Sequence, residues 1–179
     1  MFYVFTRYVL TQDSALRTPH SPMPPHLIGH GYDLHRLQPG GRLLLAGIEV
    51  SNTISPIAHS DGDVVLHALV DAILGALGQG DIGEHFPDTD PKWKNAPSHL
   101  FLTHAVTLAN QAGYHVSNAD VTILAETPRL KPHKPAMRQS LQTLLATPHV
   151  NIKAGTNEKC DAIGRGEALA AHAVVLLSQ

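Results

Sequence analysis

Asp33 and His35 sit two residues apart in a segment that reads as extended. On a strand, residues i and i+2 share a face, so a carboxylate and an imidazole can reach one point. That donor pair suits zinc or a similar divalent transition ion. His67 lies in the run Val64–Leu77, which is apolar nearly all round. A polar group there costs free energy unless something satisfies it. Asp63, His67 and Asp71 recur at i, i+4 and i+8, roughly along one helical face. A metal at His67, or a hydrogen-bonded network behind it, would meet that need. Asp33, His35 and His67 together make three protein ligands with an open fourth position, the catalytic and not the structural zinc arrangement. His59 and Ser60 precede the helix entrance, where free N–H groups favour phosphate.

Two later segments could complete a site. Asp81, Asp88 and Asp90 crowd a short loop with Phe86 and Pro87. Turn chemistry explains such aspartates as well as sugar-hydroxyl binding does, and the residues alone leave both open. Further on, Thr156 offers a hydroxyl, Glu158 a carboxylate suited to Mg²⁺, and Arg165 a fork able to pair a phosphate. A loop of Gly, Thr, Glu and Arg near a metal suits phosphoryl transfer, where catalysis is mainly positioning and charge neutralisation. Gly78 to Gly83 matches G-x-G-x-x-G but follows a helix, so it reads as helix termination and not as a dinucleotide fingerprint.

These residues need elements to hold them. Leu27–Leu37 and Leu43–Val50 read as strands around the Pro39-Gly40-Gly41 turn. Ser60 to Asp63 offers helix-start chemistry before Val64–Leu77, with Gly78 and Gly80 as the stop. Residues 81–91 read as loop. Ser98 is expected to cap a helix reaching about Ala112, stopped by Gly113. Val116–Glu126, Val150–Ala154 and Ala171–Leu177 read as strands, and Pro132–Ala146 as a helix. The expected fold is α+β (mixed α/β): a single domain with a small mixed sheet and helices packed on one face.

The 179 residues favour one domain. At 43% hydrophobic and 16% charged the composition is that of an ordinary globular chain. A net charge of -2 without a Lys/Arg cluster argues against a nucleic-acid partner. No apolar stretch reaches the ~18 residues that span a bilayer, so no membrane role is expected. One cysteine, Cys160, forms no internal disulfide and fits a reducing compartment. The domain is expected to occupy 27–179. Residues 1–26, broken by Pro19, Pro22, Pro24 and Pro25, read as a disordered or extraneous extension, with an organelle transit peptide as the alternative.

The run from Gly29 to Leu37 (GHGYDLHRL) resembles the opening of the 2-C-methyl-D-erythritol 2,4-cyclodiphosphate synthases. Residues 58–91 (AHSDGDVVLHALVDAILGALGQGDIGEHFPDTDP) resemble their longest signature. AETPRLKPH, NIKAGTNEK and GRGE follow in the family's order, and the similarity covers residues 27–179. The resemblance implies an enzyme of the non-mevalonate isoprenoid pathway. It would turn 4-diphosphocytidyl-2-C-methyl-D-erythritol 2-phosphate into the cyclic diphosphate and release CMP. Asp33, His35 and His67 match the family's zinc ligands. Glu158 matches the ligand of a Mg²⁺ or Mn²⁺ ion that bridges the diphosphate. His59 and Thr156 match residues that stabilise the transition state. Ser60, Asp81, Gly83, Phe86, Asp88 and Asp90 match positions around the methylerythritol, and Leu34, Ile82, Pro87 and Thr89 are further expected substrate contacts. Ala125, Pro128, Arg129, Leu130 and Lys131 match the cytidine pocket, which belongs to a neighbouring subunit, and Gly155, Asn157 and Arg165 are further expected substrate contacts. The family implies a homotrimer with sites between subunits, cytoplasmic in a bacterium and plastid-located only if residues 1–26 are a transit peptide.

This chain departs from the family at Cys160-Asp161-Ala162, where many members carry Leu-Gly-Phe, so an aromatic contact to the nucleotide is missing. Gly155 replaces a common hydroxyl residue and Lys131 a common apolar one. The metal ligands are untouched. Two other readings use the same residues: a hydrolase with metal-activated water, and a non-enzymatic metal- or nucleotide-binding trimer. Uptake of solvent oxygen into product separates the first, and an intact substrate the second.

Overall fold

The computed structural model describes residues 24–179. The sequence readings on residues 1–23 lie outside them. Strand β1 (His26–Pro39) alternates cleanly: Gly29 and Gly31 are buried, while Ile28, His30, Tyr32 and Leu34 face outward. Two short strands follow, β2 (Leu43–Leu45) and β3 (Ile48–Ser51), then β4 (Ile54–Pro56). Leu43–Val50 is therefore a hairpin and not one strand. Its turn is Ala46-Gly47, with φ of 55° and 76°. Ala46 takes that left-handed conformation because Asp63 grips it: the Ala46 and Gly47 N–H groups donate to the Asp63 carboxylate at 3.0 and 2.7 Å.

Helix α1 (Val64–Leu77) starts at the same Asp63, which also accepts from the Val65 and Leu66 N–H groups, and ends on Gly78 at φ 67°. The glycines of β1 explain how α1 lies on the sheet. A Cβ on Gly29 would sit 1.7 Å from the Ala72 carbonyl oxygen, and one on Gly31 1.9 Å from that of Ala68. Only glycine admits so close a helix.

Helix α2 (Ile82–His85) and a single 3₁₀ turn at Pro91–Trp93 occupy the stretch expected to be loop. Helix α3 (Ser98–Gln111) is capped at Pro97, and the Ser98 side chain does no capping. The reason is competition: the Ser98 hydroxyl bonds Asp61 and His67 instead. Strand β5 (His115–Leu124), helix α4 (Lys134–Leu144) and strand β6 (Val150–Gly155) form a parallel crossover. Helix α5 (Asp161–Gly164) precedes β7 (Ala168–Ser178), which begins three residues earlier than the sequence suggests.

The main sheet runs β4-β1-β7-β5-β6, antiparallel except for β5–β6. It is the mixed sheet expected. One hydrophobic core joins its inner residues, among them Val121, Ile123, Ala171 and Ala173, to Leu66, Leu69 and Ile73 of α1, Leu102 of α3 and Met137 and Leu141 of α4. The long helices α1, α3 and α4 thus cover one face, and the short α5 packs Ile163 on Ala168 and Ala170 of the opposite face. That opposite face keeps Ile28 at 74% exposure, with Tyr32, Leu34 and Val174 at 43–45%.

Candidate functional site

The contact of β1 with α1 sets the site. Gly29 lies against Ala72 and Gly31 against Ala68, so strand and helix run in opposite directions, two strand residues to one helical turn. The next step pairs Asp33 with the first turn of α1, where His67 sits. His67 Nδ1 lies 2.9 Å from Asp33 Oδ2, and His35 Nδ1 lies 3.0 Å from the same oxygen. Among the described residues these three form one cluster able to share an ion, with a ligand atom from each within 4.8 Å of the others. Burial would raise the Asp33 carboxyl; the His35 and His67 rings set against it outweigh that and hold the group well below the usual carboxylate range.

The donor set fits a divalent transition ion. His35 Nδ1 is buried, and although it lies close to Asp33 it has no well-aligned hydrogen-bond partner. An orphaned imidazole nitrogen beside a carboxylate and a second imidazole is the geometry an ion would resolve. On the far side of its ring, His67 Nε2 faces the Ser98 hydroxyl at 2.8 Å and that of Ser60 at 3.2 Å. The stripe read along α1 therefore splits into separate duties. Asp63 clamps the hairpin, His67 joins the cluster, and Asp71 accepts the Ile82 N–H at 2.8 Å, fixing the start of α2. Burial, with Asp81 and Asp33 nearby, pushes the Asp71 carboxyl up.

The cluster opens into a cleft of about 460 Å³, lined also by His59, Ser60, Ile82, Gly83, Phe86, Pro87 and Asp88. Trp93 and Phe101 complete its wall, and the sequence reading missed both. Phe86 stacks at 4.4 Å from Phe101 and meets Trp93 edge-on at 5.0 Å. Phe101 was legible only as a core position of α3, and nothing local marked Trp93. His59 Nε2 is buried without a partner.

A second cleft of about 410 Å³ gathers Ala125, Pro128, Arg129, Leu130, Lys131, Gly155 and Thr156. The residues expected to line one site thus gather mainly in two clefts of the chain, and Asn157, Glu158 and Arg165 line neither. Thr156 donates to Glu158 Oε1 at 3.0 Å, and Glu158 itself is exposed. Asn157 donates to Asp161. Arg165 spends its fork on Glu167, at 3.0 and 2.9 Å. Asp81 and Asp90 cap α2 and the 3₁₀ turn. Leu34 points to the bare sheet face, and Thr89 lines neither cleft.

Fold and site together define an αβ domain with a carboxylate–imidazole centre at the head of an aromatic-walled cleft. Residues 26–178 match the YgbB family model. The chain belongs to that family, the 2-C-methyl-D-erythritol 2,4-cyclodiphosphate synthases. The chloroplastic synthase of Catharanthus roseus is 54% identical over 152 residues, 84% of this chain and 64% of that protein. The chain thus spans just under two thirds of that plant relative. The synthase of Geobacter sulfurreducens is 50% identical over 154 residues, 85% of this chain and 98% of that protein. A solved structure of such a synthase in a CDP-bound form matches with TM-score 0.78 at 40% identity, covering 84% of this chain and 99% of that one. Among the described residues no helix is long and apolar enough to cross a membrane.

Proposed function

We propose that this protein converts 4-diphosphocytidyl-2-C-methyl-D-erythritol 2-phosphate into 2-C-methyl-D-erythritol 2,4-cyclodiphosphate and CMP. An oxygen of the 2-phosphate attacks the β-phosphorus, and the bond from that phosphorus to the bridging oxygen breaks. CMP leaves with the α-phosphate. The observation that carries this reading is the cluster itself: one Asp33 oxygen within 3.0 Å of two imidazole nitrogens, at the head of a cleft. Asp33, His35 and His67 would hold zinc or a similar ion, and Glu158 would hold Mg²⁺ or Mn²⁺ with the diphosphate. Bound there, such ions supply Lewis-acid neutralisation of phosphate charge.

The chain's own groups do the rest. His59 lines the cleft and its Nε2 makes no hydrogen bond within the described residues, so a small turn of the ring would let it hydrogen-bond a phosphate oxygen there. The Phe86, Trp93 and Phe101 wall keeps water from the reacting phosphorus, which favours the internal attacker over hydrolysis. Proximity of attacker and target on one molecule removes much of the entropic barrier. Thr156 needs only to donate a hydrogen bond as charge develops.

Two half-sites on one chain and an uncovered apolar sheet face support a homotrimer with sites between subunits. The bare face, with Ile28, Tyr32, Leu34 and Val174 exposed, is the surface that would close on neighbouring copies. The domain is assigned to residues 27–179. The reaction is assigned to the bacterial cytoplasm, or to a plastid if residues 1–26 are a transit peptide.

Phosphorus NMR with the cytidine diphospho substrate and Mg²⁺, before and after zinc stripping, tests the reading. Cyclic diphosphate and CMP, lost on stripping and restored by zinc, are expected. A product carrying ¹⁸O from labelled water would make the protein a hydrolase. Tight binding with no new phosphorus signal would make it a binding protein.

A further inference from the structure

His67 is held at both ends of its ring. Nδ1 faces Asp33 and the point shared with His35, while Nε2 faces the Ser98 hydroxyl at 2.8 Å. Ser98 is fully buried at the start of α3. Its backbone N–H donates to Asp61 Oδ2 at 2.9 Å, and its hydroxyl donates to Asp61 Oδ1. Asp61 Oδ1 also accepts the Asp63 N–H at 3.2 Å. Ser60, a longer second contact of Nε2, accepts from the Gly62 N–H.

The direction of these bonds follows from proton counting. A carboxylate can only accept, and a serine hydroxyl has one proton to give. With that proton directed to Asp61, Ser98 Oγ presents only lone pairs to His67. Nε2 must therefore carry a hydrogen, and in the neutral ring Nδ1 then offers its lone pair to the cluster. We infer that Asp61 and Ser98 are positioning residues for the metal centre, a carboxylate–hydroxyl–imidazole relay that fixes the His67 tautomer and aims Nδ1 at the ion. This rests on the metal reading given above.

The relay also explains why two segments 37 residues apart are tied at this point. A ring hydrogen-bonded only to a mobile group could rotate or flip. Here the acceptor is buried and itself clamped through both backbone and side chain. A chain that ends in a carboxylate also makes the ring a stronger donor of electrons to a metal.

The test uses the full-length protein and two variants, Ser98→Ala and Asp61→Asn, with zinc affinity measured by competition against a chromophoric chelator. Thermal melts of the zinc-free proteins check that each variant folds. Zinc affinity is expected to fall roughly 10- to 100-fold in each folded variant. Long-range ¹H–¹⁵N NMR of the zinc-loaded wild type reads the tautomer without any mutation, and a protonated His67 Nε2 is expected. A protonated Nδ1 with zinc held on Nε2 instead, or unchanged zinc affinity in the folded variants, would overturn the relay and leave the metal centre standing. A wild type that binds no zinc would remove the metal reading and the relay with it.

Discussion

Gly31→Ala adds one methyl group, far smaller than the changes usually made at a metal site, and it should disable this one. The new Cβ would lie 1.9 Å from the Ala68 carbonyl oxygen and 2.7 Å from the Ala72 backbone nitrogen. A carbon–oxygen contact of this kind settles near 3.3 Å, so strand and helix must part by roughly 1.4 Å. Both obstacles are helix backbone, so no side chain can swing aside to relieve them. Overpacking of this sort costs about 1–3 kcal/mol. For a domain of this size that is a Tm loss on the order of 2–12 °C. The larger effect falls on the centre. His67 sits one residue before Ala68 and moves with it, whereas Asp33 and His35 stay on the strand. Metal sites tolerate about 0.2 Å in ligand distances, and a misplacement near 1 Å costs about 10²-fold in rate. Differential scanning calorimetry, chelator competition for zinc and a phosphorus NMR rate assay would be read on the same preparation. Zinc affinity and turnover should fall far more than stability does. If Gly31→Ala kept wild-type zinc affinity, the strand–helix contact would not be what sets the cluster, and the argument from the glycines would be wrong.

His67→Ala should lose zinc and activity together; full zinc content by atomic absorption would contradict its assignment as a ligand. Thr156→Ala should keep zinc and substrate binding and lower kcat by about 10²-fold, the scale of one transition-state hydrogen bond; an unchanged kcat would remove it from that role. Asp63→Ala strips the acceptor from four backbone N–H groups at once. A lost N-cap costs about 1 kcal/mol and the buried Ala46 donor about 1–3 kcal/mol, so denaturant melts should show a loss of at least about 2 kcal/mol, and a loss under about 1 kcal/mol would refute the clamp.

The parts of this molecule that sequence discloses are those governed by short-range periodicity. Asp33 and His35 declare a shared face because strand parity is a local property, and His67 stands out because a polar residue interrupts an apolar helix. The α1 boundaries are equally local, since Asp63 and Gly78 carry the capping chemistry themselves. What escaped depends on contacts between distant segments. Leu43–Val50 looks like one strand because Ala46-Gly47 is a weak turn signal, and the residue that stabilises the turn, Asp63, lies 16 and 17 positions away. Ser98 has the composition of a cap, yet Asp61, 37 residues upstream, claims its hydroxyl. Trp93 joins the cleft wall only because a 3₁₀ turn brings it against Phe86. The division of the expected substrate-binding residues between two clefts is likewise a fact of tertiary placement, and spacing along the chain says nothing about it.

That division has a genetic face. If each working site borrows one cleft from each of two copies, the unit of function is a junction and not a polypeptide. A lesion in the Asp33–His35–His67 cleft and one in the Thr156 cleft would then complement when carried by separate alleles, because in a mixed ring one junction receives both sound halves. Two different lesions in the same cleft would leave no sound junction and would fail to complement. Allele pairs sorted in this way would draw the boundary between the two half-sites from growth alone.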